Sequence, residues 1–117
     1  MSFRPIGLVV FATMLGTFAA QAHHSLTAKY NPRQTLTLDG TVTRVDWSNP
    51  HVRVYMDVPG TGTSSVEWEL EMGSPNEQLR GGWKIDAIKQ GDHIKASIYR
   101  ARDGSNVGFA RSIVVNH

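Results

Sequence analysis

Cysteine is absent from this 117-residue chain. No disulfide can staple it, and no thiolate can serve as nucleophile or metal ligand. An excess of charge of one sign is lacking too: 12 Lys and Arg stand against 10 Asp and Glu, interspersed along the chain. Nucleic-acid binding needs basic residues gathered on one face, so no nucleic-acid partner is expected. The sequence has no polybasic or strongly amphipathic helix for a membrane surface. It has no Gly-rich phosphate loop and no nucleophile motif. Internal repeats and low-complexity segments are missing. The one long apolar run is "IGLVVFATMLGTFAA", residues 6–20, and it falls short of the roughly 20 residues of a membrane-spanning helix.

What is present begins with the setting of that run. Arg4 lies ahead of it and Ala20-Gln21-Ala22 lies behind. A short basic start, an apolar stretch and small residues at an Ala-x-Ala site make a secretory signal peptide. Residues 1–22 are therefore expected to be cleaved, leaving no membrane anchor and a mature chain that starts at His23. Losing Arg4 brings the basic and acidic counts closer still. Residues 23–117 suffice for one domain, which at this size buries about 60–70% of its unfolded surface and folds without staples.

From Leu36 onward, alternation of period two dominates. In "LTLDGTV", Leu36, Leu38 and Val42 share one phase, whereas Val45 and Trp47 take the other. The phase change beside Gly40 predicts a bulge or sharp coil in a long first strand. "HVRVYMDV" sets Val52, Val54, Met56 and Val58 against Arg53, Tyr55 and Asp57. "VEWELEM" sets Val66, Trp68, Leu70 and Met72 against Glu67, Glu69 and Glu71. Ser74 as N-cap, Pro75 at the first helical position and Glu77 three residues after the cap predict a short helix that ends at Gly81-Gly82. "KIDAIKQGD" reads as a helical turn followed by a Gly-Asp turn. "HIKASIYRA", with Ile94, Ala96 and Ile98 inward, and "GFARSIVV" supply two further strands around the "RDGSN" turn. Residues 23–35 are expected to be an extended lead-in with a turn at Asn31-Pro32. The resulting order predicts an all-β fold with one short helix, a five-stranded OB-like barrel with the helix between strands three and four. A small β-sandwich is the alternative, but it usually needs about seven strands.

The patches "AHHS", "VDWSNPH", "GSPNEQLRGGW" and "YRARDGSN" followed by "ARS" resemble, in this order, an uncharacterised family of small exported bacterial proteins classed as a domain of unknown function. The resemblance runs over essentially the whole mature chain. It implies a periplasmic protein, and it brings no activity with it.

Two histidines directly behind the cleavage site carry the chemical expectation. The free α-amine of His23 and its Nδ1 can close one chelate ring on a metal ion, and an imidazole from elsewhere would complete a three-nitrogen set. Such sets suit Cu(II), which heads the Irving–Williams order. His24 offers a competing mode through the amine, a deprotonated amide and its own ring. His51, behind Trp47-Ser48-Asn49-Pro50 in the connection between the first two strands, is the best third ligand, because Pro50 fixes its own φ and biases Asn49 toward extended geometry, which leaves the approach to His51 little freedom. His93 reads as a solvated residue at a strand start. Glu71 is an oxygen donor or a partner that holds a histidine; otherwise Glu67, Glu69 and Glu71 form a solvated row, with Arg53 paired across to one of them. The aromatic and basic residues Trp47, Arg53, Tyr55, Arg100 and Arg102 outline a ligand face near the barrel loops. Trp68 belongs to the core, and Trp83 plugs a barrel end. The leading expectation is a periplasmic copper-binding protein. A module without metal that binds a partner protein, peptide or glycan is the second, and an enzyme the least favoured.

Overall fold

The computed structural model describes residues 25–116. The expected signal peptide over residues 1–22, His23, His24 and His117 lie outside the described residues. The chain runs β1 (Tyr30–Asp46), β2 (Arg53–Pro59), β3 (Ser65–Glu71), α1 (Pro75–Arg80), β4 (His93–Ala101) and β5 (Val107–Asn116). The five strands close into a barrel in the order β1-β2-β3-β5-β4. All pairs are antiparallel except β3 with β5, which is parallel and short, matching Glu69, Leu70 and Glu71 to Val107, Gly108 and Phe109. This is the OB-like barrel that the alternation predicts, with the helix in the expected place.

Closure depends on the length of β1. Its first half pairs with β4, from Leu36 opposite Ile98 to Thr41 opposite His93. Its second half pairs with β2, from Thr41 opposite Asp57 to Asp46 opposite Arg53. Gly40 sits where β1 passes from one partner to the other, and a Cβ there would lie 2.1 Å from the Asp57 carbonyl oxygen. The backbones approach this closely only because the residue has no side chain. The phase change itself falls slightly later than expected. Leu38, Gly40 and Val42 stay in one inward phase, and the register shifts between Val42 and Arg44. The glycine makes the close approach, and the extra residue that rotates the strand comes after it.

The alternating residues fill the interior. Val54, Met56, Leu70, Ile94, Ala96 and Ile98 are fully buried, and Trp68 joins them. Trp47 and Trp83 pack partly buried against this core. In α1, Ser74 caps the helix by accepting from the Glu77 amide at 3.2 Å, and its hydroxyl lies 3.2 Å from the Glu77 carboxylate. Two local expectations give way. Residues 25–29 form a helical turn, and β1 begins already at Tyr30, where an extended lead-in was expected. Residues 83–92 make turns without helix; they are anchored by buried Ile88 and by the Ala87 amide donating to the Lys84 carbonyl.

Candidate functional site

The end of β3, the start of β1 and the residue ahead of β2 meet at one end of the barrel. Backbone bonds carry the β2–β3 ladder beyond the strands: Met72 N–H donates to Val52 and Val52 N–H donates to Gly73, both at 2.9 Å. His51 is thereby held beside the exit of β3. Its Nδ1 lies 3.1 Å from the Met72 carbonyl oxygen. A carbonyl can only accept, so Nδ1 carries the proton and Nε2 is turned away from the backbone. The peptide between Asn49 and Pro50 is cis.

Glu71 is the centre of the arrangement. The alternation places it on the outer face of β3 with Glu67 and Glu69, yet it is only 8% exposed. Tyr30, itself fully buried, donates its hydroxyl proton to Glu71 Oε2 in a hydrogen bond. Lys29 Nζ lies 3.0 Å from the same oxygen. His51 Nε2 stands 3.6 Å from the other oxygen, Oε1. The Tyr30 ring also packs against Phe109 of β5, with centroids 5.8 Å apart. Burial alone would raise the Glu71 carboxyl, but the hydrogen bonds from Tyr30 and Lys29 and the charge of Lys29, joined by His51 when its ring is protonated, outweigh it and hold the group below its ordinary value. Burial, and then the bond to Glu71, push the Tyr30 phenol well above its ordinary value. The pair is thus a stable carboxylate and a phenol that keeps its proton.

These residues line a cavity of about 470 Å³ together with Ser25, Leu26, Gly73, Glu77 and Phe109. The helical turn that brings Ser25 and Leu26 there is fixed by the turn between β4 and β5. The Arg102 amide donates to the Lys29 carbonyl at 2.9 Å, and its Nε donates to the Thr27 carbonyl at 2.7 Å.

The structure brings His51 and Glu71 together, and Arg53 stands opposite Glu71 in the β2–β3 ladder, but none of Trp47, Arg53, Tyr55, Arg100 and Arg102 lines the His51–Glu71 cavity. Arg100 donates to the carbonyls of Gly104 and Ser105 and to the Asn106 side chain, and it lies over the Trp68 ring. Arg100 and Arg102 therefore brace loops and do not line the His51–Glu71 cavity. Arg53 pairs with Glu69 at 3.1 Å. Tyr55 donates to the same carboxylate at 3.2 Å and lies under the Arg44 guanidinium. Trp47 is half-buried against the core. His93 pairs with Asp39 on the far side of β1. Lys29 and Tyr30 are the residues that sequence reading missed. Among the described residues, no group of three or more His, Cys, Asp or Glu side chains could hold a metal ion. No helix among them is long and apolar enough to cross a membrane.

The fold is similar to that of solved proteins. One is the mitochondrial single-stranded DNA binding protein Rim1 of S. cerevisiae, with a TM-score of 0.53 and 7% identity over 70% of this chain and 92% of that one. Another is the dimeric N-terminal domain of PriB from Thermoanaerobacter tencongensis, with a TM-score of 0.53 and 20% identity over 73% of this chain and 98% of that one. At such identities the likeness speaks for the barrel alone. No curated protein matches the chain. A family of unknown function (DUF6152) matches residues 12–110, which is most of the sequence, and the chain belongs to that family.

Proposed function

We propose that this is a small exported protein that binds a copper ion at the His51–Glu71 end of the barrel. Cleavage after Ala22 frees the α-amine of His23. That amine and His23 Nδ1 form the chelate, and His51 Nε2 supplies the third nitrogen. His24 competes through its own ring. The role is storage, delivery or sensing in the periplasm.

One observation carries this reading. Ser25 and Leu26 lie on the wall of the cavity that holds His51 and Glu71. His23 precedes Ser25 by two residues in the sequence, and two residues of chain span at most about 7 Å. The histidine geometry supports it as well. A ring nitrogen bound to a backbone carbonyl fixes the tautomer and orientation that metal-ligating histidines use, and in His51 that nitrogen is Nδ1.

The experiment has two steps. Mass spectrometry of the exported protein should find His23 as the first residue. Cu(II) titration should then show tighter binding by this chain than by one with a single added residue in front of His23. A start at any other residue, or equal affinity of the two chains, refutes the amine chelate. The second expectation, a module for a protein, peptide or glycan, is less favoured. Arg53, Tyr55, Arg44 and Glu69 satisfy one another on the face it would use.

A further inference from the structure

The two oxygens of Glu71 are used differently. Both hydrogen-bond donors, Tyr30 and Lys29, are on Oε2. Oε1 is turned toward His51 Nε2 across 3.6 Å, longer than the roughly 2.7–3.2 Å of an N–H···O hydrogen bond. A carboxylate that only steadied a metal-ligating histidine would accept from the ring nitrogen that does not face the ion. In His51 that nitrogen is already taken by the Met72 carbonyl. Glu71 faces the free nitrogen instead, so it shares the place of the ion.

We propose that Glu71 is itself a metal ligand, through Oε1, and that His51 Nε2 and Glu71 Oε1 form the barrel's half of a mixed nitrogen–oxygen site for a divalent first-row ion. This inference rests on the copper-binding reading and adds the oxygen donor to it. With metal–ligand bonds of about 2.1 Å, one ion bridging the 3.6 Å gap makes an angle of about 120° at the metal. Tyr30 is the positioning residue: buried and packed on Phe109, it fixes the carboxylate from behind. Lys29 balances part of the carboxylate's charge from the solvent side.

The test uses the mature chain starting at His23, with Cu(II) alone as the probe, in competition with a chelating dye. Glu71→Gln keeps the shape and an acceptor for Tyr30 while removing the anionic donor. Loss of even an outer partner of a metal site costs about 10- to 100-fold in affinity. Glu71→Gln should therefore weaken Cu(II) binding at least roughly tenfold and change the Cu(II) electron paramagnetic resonance spectrum. Glu71→Asp, which withdraws the oxygen by one methylene, should also weaken binding and serves if the glutamine variant fails to fold. Unchanged affinity and spectrum in a folded variant overturn the carboxylate as ligand while leaving the amine chelate standing. The same substitution in the chain with one added residue separates the two ideas. Weaker binding there supports Glu71 even if the amine plays no part, and an unchanged value counts against it.

Discussion

Tyr30→Phe removes one oxygen from a buried polar contact of the barrel and leaves the ring packed against Phe109. Its cost follows from what is left behind. A hydrogen bond to a charged group contributes about 1.5–3 kcal/mol, and a buried acceptor that loses its donor keeps its desolvation penalty. Lys29 cannot compensate, because its side chain is 52% exposed and such a pair contributes at most about 1 kcal/mol. A loss of about 2 kcal/mol is expected at pH 7, or a fall of about 8–16 °C in melting temperature for a domain of this size. The loss should depend on pH with a definite sign. Glu71 has a lowered folded pKa, so its contribution is present above the unfolded value near 4 and disappears as pH falls through the folded one. Guanidinium denaturation of metal-free protein at pH 7 and near pH 3 follows this change. The variant should be clearly weaker at pH 7, and the gap should narrow at low pH. An equal deficit at both values, or none at pH 7, would refute the view that Tyr30 acts by holding a carboxylate.

Other outcomes follow from the same geometry. The chain has three tyrosines, and Tyr30 has a raised pKa. Ultraviolet titration should find one phenol that resists ionisation, and stability should be intact below pH 10 and decline as pH rises further; three phenols ionising together near pH 10 would count against this. Leu70→Ala empties a fully buried position between β2 and β5 and should cost about 2–5 kcal/mol in denaturant unfolding. Gly40→Ala adds a Cβ that meets the Asp57 carbonyl. It should cost about 1–3 kcal/mol, against a control such as Gly81→Ala at the end of α1, where φ is −77° and a Cβ makes only ordinary contacts.

Much of the barrel was legible because its signals are local. The alternation in "HVRVYMDV" follows from successive side chains pointing to opposite faces, and Val52, Val54 and Met56 are buried as it requires. Ser74, Pro75 and Glu77 announce the helix start within four residues. His51 was legible as a candidate because Pro50 precedes it and a strand follows. Glu71 was half legible. Its alternation with Leu70 and Met72 reads as an outward residue, and a period-two pattern knows only two faces.

Sequence alone determined the strands, the helix cap, the barrel class and the absence of any thiol chemistry, since each depends on neighbours along the chain. Tertiary structure alone decided that an outward glutamate would be buried. Tyr30 reaches it from 41 residues away, and the Met72 carbonyl that orients His51 lies 21 residues from it. Barrel closure creates those contacts, and the cavity between them, by bringing the start of β1 and the exit of β3 to one rim. No local pattern encodes a distance across that rim.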